Sequence, residues 1–261
     1  MKYGFIGCGN MGGAIARALS KTTNEIMVTD RSGRASAIAE ELLCTYTDPI
    51  TIAGSCERIF LAVKPQMMRQ ALSPLRKYLR ESKPLLITMA AGLEIATIQE
   101  MAGAELPVIR IMPNTPVLVG KGMTLYCCND LVDEDTLEDF LDDMAFTGHM
   151  DEIAEHLIDA AGVVSGCGPA YMYMFAEALA DGAVACGVPR AKALEYAAAT
   201  LTGAGEMLLQ TGEHPGKLKD NVCSPGGSTI AGLNVLEARA FRGAVMDCVK
   251  AAYKRNQELG K

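Results

Sequence analysis

The chain of 261 residues has no tryptophan, 5% aromatic residues and three histidines, His149, His156 and His214. Recognition by aromatic platforms therefore has little to work with, and an imidazole-based metal centre has less. No metal site is expected. Basic charge is also short, with 24 Lys and Arg against 31 Asp and Glu and a net charge of −7. That balance argues against a nucleic-acid partner and against an anionic membrane surface. No apolar run reaches the roughly 20 residues that span a bilayer, and no basic signal-peptide start is visible. The nine cysteines are odd in number and form no CxxC pair, so neither a disulfide framework nor a zinc ribbon has spacing to rest on. Reduced thiols in a cytoplasmic protein are the expectation.

What remains is an ordinary globular composition, 49% hydrophobic and 21% charged, arranged in two textures that meet near residue 150. Before it, short β-rich runs alternate with helical patterns. The strand candidates are 2–6, 25–29, 58–63, 84–89, 107–111 and 122–127. Helical patterns cover 11–19, 34–43, 66–79 and 94–101. Alternating strands and helices with continuous apolar strands predict an α/β domain with a parallel sheet covered on both faces. After residue 150 the β signal vanishes. Helices are expected over 152–164, 169–186, 190–210 and 228–258, with a break at Gly166-Cys167-Gly168-Pro169. Stretches such as ALADGAVACG and EYAAATLTGAG are rich in alanine on several faces, which implies burial beyond what one subunit provides. Two domains are expected: 1–150, dinucleotide-binding and of Rossmann type, and 151–261, all-helical.

Chemistry enters first at Gly7-Cys8-Gly9-Asn10-Met11-Gly12, a GxGxxG directly after an apolar strand and opening a helix. The first glycine permits the turn, the second lets the backbone approach a pyrophosphate, and the helix start supplies free N–H donors. The second strand ends in Asp30, followed by Arg31, Ser32, Gly33 and Arg34. An acid here takes the ribose hydroxyls of NAD, whereas an arginine with a hydroxyl suits the extra phosphate of NADP. Asp30 reads equally as a capping acid for the next helix. The balance favours NADP(H), with NAD(H) left open. Two more strand ends carry unusual tips, Ala62-Val63-Lys64-Pro65 and Met89-Ala90-Ala91-Gly92. Lys64 reads either as a contact to the cofactor or as a surface charge.

The second half offers no obvious acid, base or nucleophile. His156 and His214 read as catalysts or as solvated helix ends, and Cys167 lacks a neighbouring histidine in sequence. The segment Ser224-Pro225-Gly226-Gly227-Ser228-Thr229 stands out instead. It reads as a turn feeding a helix, with hydroxyls available as N-cap. Its glycines also leave consecutive N–H groups exposed at a positive helix end, a nest for a carboxylate. Capping and anion binding both remain open on these residues alone.

At these motifs the chain closely resembles the pyrroline-5-carboxylate reductases. The resemblance runs from GFIGCGNMG through LAVKP (61–65), MAAG (89–92), RIMPNTP (110–116) and SGCGPAY (165–171) to VCSPGGSTIAGL (222–233). It implies reduction of 1-pyrroline-5-carboxylate to proline by NAD(P)H. Ile6, Gly7, Cys8, Gly9, Asn10 and Met11 would then cradle the pyrophosphate. Asp30, Arg31 and Ser32 would face the adenosine ribose. Ala62, Val63, Lys64 and Pro65 would line the cofactor cleft with Met89, Ala90 and Ala91. Gly226, Gly227 and Ser228 would donate N–H groups to the substrate carboxylate, and Thr229 would bond the ring nitrogen as the catalytic hydroxyl. It also implies a homodimer interlocked through the helical domains, with ring-like assemblies of dimers beyond it. The asparagine that the family often places near the ribose has no clear counterpart around Asp48-Pro49. Two-domain hydroxyacid dehydrogenases share this plan but use a lysine early in their helical domain, and 163–177 contains none. Reduction of a related cyclic imine, or dinucleotide sensing without catalysis, are the remaining alternatives.

Overall fold

The computed structural model describes residues 1–23 and 25–259. Two compact units divide it, Met1–Cys167 with Ala252–Lys261, and Gly168–Ala251. The first unit carries a sheet of eight strands: β1 (Tyr3–Ile6), β2 (Ile26–Thr29), β3 (Thr45–Tyr46), β4 (Arg58–Leu61), β5 (Leu85–Thr88), β6 (Val108–Met112), β7 (Gly122–Cys128) and β8 (Gly148–Glu152). Their order is β3-β2-β1-β4-β5-β6-β7-β8. All six expected strands form. Every pairing is parallel except β6 with β7, so the expected parallel sheet forms with one antiparallel pairing in it. The reason is the short connection from β6 to β7 through Thr115–Val119, which has no room for a crossover helix.

The helices of this unit are α1 (Asn10–Leu19), α2 (Arg34–Leu42), α3 (Pro49–Ser55), α4 (Met68–Leu72), α5 (Arg76–Ser82), α6 (Ile95–Ala102), α7 (Glu134–Met144) and the first part of α8 (Glu155–Ala185). The helix expected over 66–79 is instead α4 and α5 flanked by 3-10 turns at Pro65–Met67 and Ser73–Leu75, because Pro74 cannot extend the preceding turn. Continuous apolar strands separate two cores. On one face Tyr3, Phe5 and Phe60 pack with Ile15, Val28, Ile109 and Phe140, the rings of Phe5 and Phe60 stacking at 4.6 Å. On the other, Ile6, Ile52, Ile59, Leu61, Leu86 and Ile98 pack with Leu72 and Leu79. At the strand N-termini, Arg58 is 2% exposed and is satisfied by Tyr3 and by Asp143 of α7 at 3.1 Å, an acid that also binds the Tyr3 hydroxyl. Burial, reinforced by that bond, pushes the Tyr3 phenol well above its ordinary range.

The second unit is entirely helical: the rest of α8, α9 (Arg190–Thr211), α10 (Pro215–Asn221), α11 (Ser228–Ala238) and most of α12 (Phe241–Leu259). Only Ala180, Ala193 and Ala197 are fully buried in it, while Met172, Tyr173, Met174, Leu209, Val235 and Met246 are exposed. The expected break before Pro169 does not occur, and α8 runs unbroken through that proline. Pro169 has no N–H, which strands the carbonyl of Ser165 four residues earlier. The Asn114 side chain replaces the missing donor, its Nδ2 bonding the Ser165 carbonyl at 3.0 Å. The single helix expected over 228–258 is divided instead at Arg239 and Ala240, where Ala240 takes a φ of 54°.

Candidate active site

The end of β1, the start of α1 and the tips of β2, β3 and β4 enclose a cleft of about 1070 Å³. Its position at the carboxyl ends of the strands, where the order reverses between β1 and β4, is where open α/β sheets bind ligands. Gly7 turns the chain with a φ of 105°, and a Cβ there would stand 2.6 Å from the Ala62 carbonyl. One at Gly12 would meet the Gly7 carbonyl at 2.4 Å. Gly9 differs, since a Cβ on it would touch nothing within 4 Å. Its lack of a side chain serves the open cleft and not the protein's own packing. The N–H groups of the first turn of α1 have no intrahelical partners. A bare helix start, a second glycine facing open space and a crevice of this size together fit a dinucleotide pyrophosphate.

Of the residues expected to contact a cofactor, Ile6, Gly7, Cys8, Gly9, Asp30, Arg31, Ser32, Ala62, Val63 and Lys64 line the cleft. Asn10, Met11, Pro65, Met89, Ala90 and Ala91 lie outside its lining. Burial pushes the Cys8 thiol up to about 12, so it lines the turn as an inert wall. Asp30 faces the cleft and also caps the segment that follows. It accepts the Ser32 hydroxyl at 2.7 Å and the N–H groups of Gly33 at 2.9 Å and Arg34 at 3.1 Å. Burial alone would raise its carboxyl, but the Ser32 hydroxyl and the N–H groups of Ala35, Gly33 and Arg34 outweigh it and hold it below the usual carboxylate range. Arg31 bonds Gln70 at 2.9 Å, and the Arg34 guanidinium approaches the Asn10 side chain at 3.5 Å. Two cations, Arg31 and Arg34, and the Ser32 hydroxyl therefore cluster just after β2, beside Asp30.

Sequence reasoning missed Tyr46, Thr47, Asp48 and Pro49 on the β3 side and Met67, Gln70, Ala71 and Pro74 on the β4 side, all of which line the cleft. A two-residue strand with both side chains exposed leaves no periodic signal. Asp48 was identifiable as a cap preceding Pro49, and its oxygens accept from Ile50 at 2.8 Å and from the Thr51 hydroxyl at 2.6 Å.

In the helical unit, Ser224-Pro225-Gly226-Gly227 forms a tight turn closed by the Gly227 N–H on the Ser224 carbonyl at 3.0 Å. Proline at the second position and Gly226 at φ 70° at the third make it a type II turn. A Cβ at Gly227 would meet the Ser224 hydroxyl at 2.5 Å. The N-cap of α11 is Gly227 itself, with no side-chain cap bond. This corrects the capping expectation for the hydroxyls, because Ser228 and Thr229 are the first two residues of the helix. It also alters the donor set, since the Gly227 N–H is occupied by the turn. The N–H groups of Ser228, Thr229 and Ile230 have no intrahelical partners. Thr229 is exposed on the single chain, and Ser224–Thr229 contains no acid, base or thiol.

A crevice of this kind on a doubly wound sheet, in one chain with helices whose apolar faces that chain leaves uncovered, defines a dinucleotide-dependent oxidoreductase that works as a homo-oligomer. Residues 2–92 match the family model described as NADP oxidoreductase coenzyme F420-dependent, and residues 155–259 match pyrroline-5-carboxylate reductase dimerisation. The chain is 39% identical to the pyrroline-5-carboxylate reductase of Escherichia coli (strain K12), across 100% of this chain and 98% of that one. It is 40% identical to that of a Synechocystis species, across 100% and 99%. The crystal structure of Plasmodium falciparum pyrroline carboxylate reductase with NADP bound superposes with a TM-score of 0.90 at 34% identity, covering 100% of this chain and 98% of that one. This chain belongs to the pyrroline-5-carboxylate reductase family.

Proposed function

We propose that the chain reduces 1-pyrroline-5-carboxylate to L-proline, the last step of proline biosynthesis, with NADPH preferred and NADH as the alternative. The observation that carries this reading is the Ser224–Thr229 segment. In a member of this family it folds as a turn and helix start with free backbone donors and no acid or base. A substrate that arrives as a protonated imine needs neither. It needs its carboxylate neutralised and its ring held in place.

The nicotinamide supplies the hydride, which is taken by the ring carbon of the C=N bond. The chain's own groups do the positioning. The Gly226, Gly227, Ser228 segment holds the carboxylate at the positive end of α11, the two glycines shaping the turn and the free N–H of Ser228 leading the donors. The Thr229 hydroxyl bonds the ring nitrogen and keeps its proton in place while the carbon is reduced. Ile6 to Met11 hold the pyrophosphate. Arg31, Ser32 and Arg34 receive the ribose phosphate, and Ala62 to Pro65 with Met89 to Ala91 border the rest. Residues 1–150 act as the cofactor domain and 151–261 as the substrate and dimerisation domain.

The working unit is a homodimer, assembled further into rings, and its place is the cytoplasm. The exposed apolar helix faces support the first statement. All nine cysteines being free supports the second, as does the lack, among the described residues, of any helix long and apolar enough to cross a membrane. The deciding experiment is pyrroline-5-carboxylate-dependent oxidation of NADPH and NADH at matched concentrations. Turnover with NADPH exceeding that with NADH is expected, and no turnover with either refutes the reading. Light scattering at low micromolar concentration is expected to show no species near the 27.7 kDa chain mass.

A further inference from the structure

A second polar cluster lies at the carboxyl ends of β5 and β6, away from the glycine turn. Arg110 on β6 is 1% exposed, so a full positive charge stands in the core. Its Nη2 donates to Asp159 Oδ1 at 2.7 Å and its Nη1 reaches Glu155 Oε1 at 3.5 Å. The two acids are four residues apart at the start of α8 and therefore share one face of it. The same oxygens also accept backbone donors. Asp159 Oδ1 takes the Gly92 N–H at 3.3 Å, and Glu155 Oε1 takes the Ile95 N–H at 2.7 Å. Glu155 thereby supplies the acceptor that α6 lacks at its start, where Glu94 makes no side-chain cap bond. From α12, Asn256 adds a donor to Asp159 at 3.5 Å.

Burying a guanidinium is costly, and a well-packed apolar residue at such a site is often at least as stabilising. An apolar residue, however, would leave the two carboxylates unplaced. With Arg110 present they stand fixed, and from them the loop after β5 is gripped at Gly92 and again at Ile95. Gly92 itself turns the chain with a φ of 73°. The loop it closes begins at Met89-Ala90-Ala91. In the strand order β2-β1-β4-β5 this loop follows the strand beyond β4, on the side of the sheet away from Asp30 and outside the lining of the cleft around the glycine turn. The half of the crevice bearing the acid takes the adenosine of a dinucleotide, and the other half takes the nicotinamide.

We propose that Arg110, Asp159 and Glu155 are positioning residues that hold the Met89–Gly92 loop against the nicotinamide end of the bound cofactor. This rests on the NADPH reading above. The test measures binding on the full chain, without substrate, using two ligands. NADPH is titrated by its fluorescence, and adenosine 2′,5′-bisphosphate, which lacks the nicotinamide half, is titrated by calorimetry. Asp159→Ala is expected to weaken NADPH about tenfold, the size of one charge-assisted hydrogen bond, and to leave the bisphosphate unchanged. Asp159→Asn keeps an oxygen acceptor for Gly92 and is expected to recover most of the NADPH affinity. Glu155→Ala, at the partly exposed start of α8, leaves Arg110 its shorter bond and serves if Asp159→Ala does not fold. It is expected to show the same selective loss, smaller in size. Folded Glu155→Ala that binds NADPH as the wild type does, or loses both ligands equally, overturns the proposal. A wild-type chain that binds the bisphosphate but not NADPH also overturns it, and a chain that binds neither overturns the cofactor reading itself.

Discussion

The bond from Asn114 to Ser165 is the structural event that lets α8 pass through a proline, and its contribution is measurable in isolation. Asn114 is 7% exposed and serves two backbone groups, donating to the Ser165 carbonyl and accepting the Met123 N–H, each at 3.0 Å. Asn114→Ala leaves both without partners. A buried group deprived of its partner costs about 1–3 kcal/mol. Both sites keep some solvent access, so the lower half of that range applies, and the loss is about 2–4 kcal/mol. Against a typical total stability of about 5–15 kcal/mol, that is a large fraction. The two halves of the loss can be separated, because Pro169→Ala returns a backbone N–H to α8 that can bond the Ser165 carbonyl. In that background Asn114→Ala should cost only the Met123 share, about 1–2 kcal/mol less. Denaturation of the four proteins, at one protein concentration because the chain is oligomeric, closes the cycle. Independent sites add to within about 0.3–0.5 kcal/mol. Additivity at that level would refute the claim that Asn114 substitutes for the proline's missing donor.

Thr229→Val keeps the side-chain shape and removes the hydroxyl, so turnover should fall by about 10²-fold with the melting temperature unchanged. Full turnover would remove Thr229 from the chemistry. Arg31→Ala and Arg34→Ala should raise the KM for NADPH by roughly ten- to hundredfold, the equivalent of about 1.5–3 kcal/mol, and spare NADH. Equal losses with both cofactors from both variants would contradict the phosphate assignment. The depressed Asp30 carboxyl contributes stability that is complete above its unfolded value of about 3.9 and is lost as pH falls through the lower folded value. Asp30→Asn should therefore melt below the wild type at neutral pH and converge with it in acid; parallel melting curves across that window would show that the cap carries no stability.

The sheet was legible because its central strands are buried on both faces and read as unbroken apolar runs. β3 and β8 were not. Thr45–Tyr46 is two exposed residues, and Gly148–Glu152 is a mostly polar edge, so neither carries a burial pattern. The glycine turn was legible from its place between a strand and a helix. Its neighbours Tyr46, Asp48 and Gln70 were not, since they reach the cleft only through strand order. Pro169 marked a helix end by every local rule, and the bond that overrides the rule comes from a residue 51 positions earlier. The SPGGST segment was recognisable as a turn and helix start. Which residue capped it depended on the Gly226 backbone angle, which composition does not specify.

The helical unit buries only three alanines in full, and this sets the molecularity of its folding. A chain segment with so little interior of its own has no large internal reward for ordering its helices, so the encounter with a second copy must supply it. Recovery of the native fold from denaturant should then be second order in protein at low concentration, with a half-time that lengthens on dilution, while the sheet-bearing unit regains its structure at a rate independent of concentration. The same dependence bears on synthesis in a cell. A chain released from the ribosome stays incomplete until it finds another, and the rate at which the message is translated becomes one of the terms that determine how much active protein accumulates.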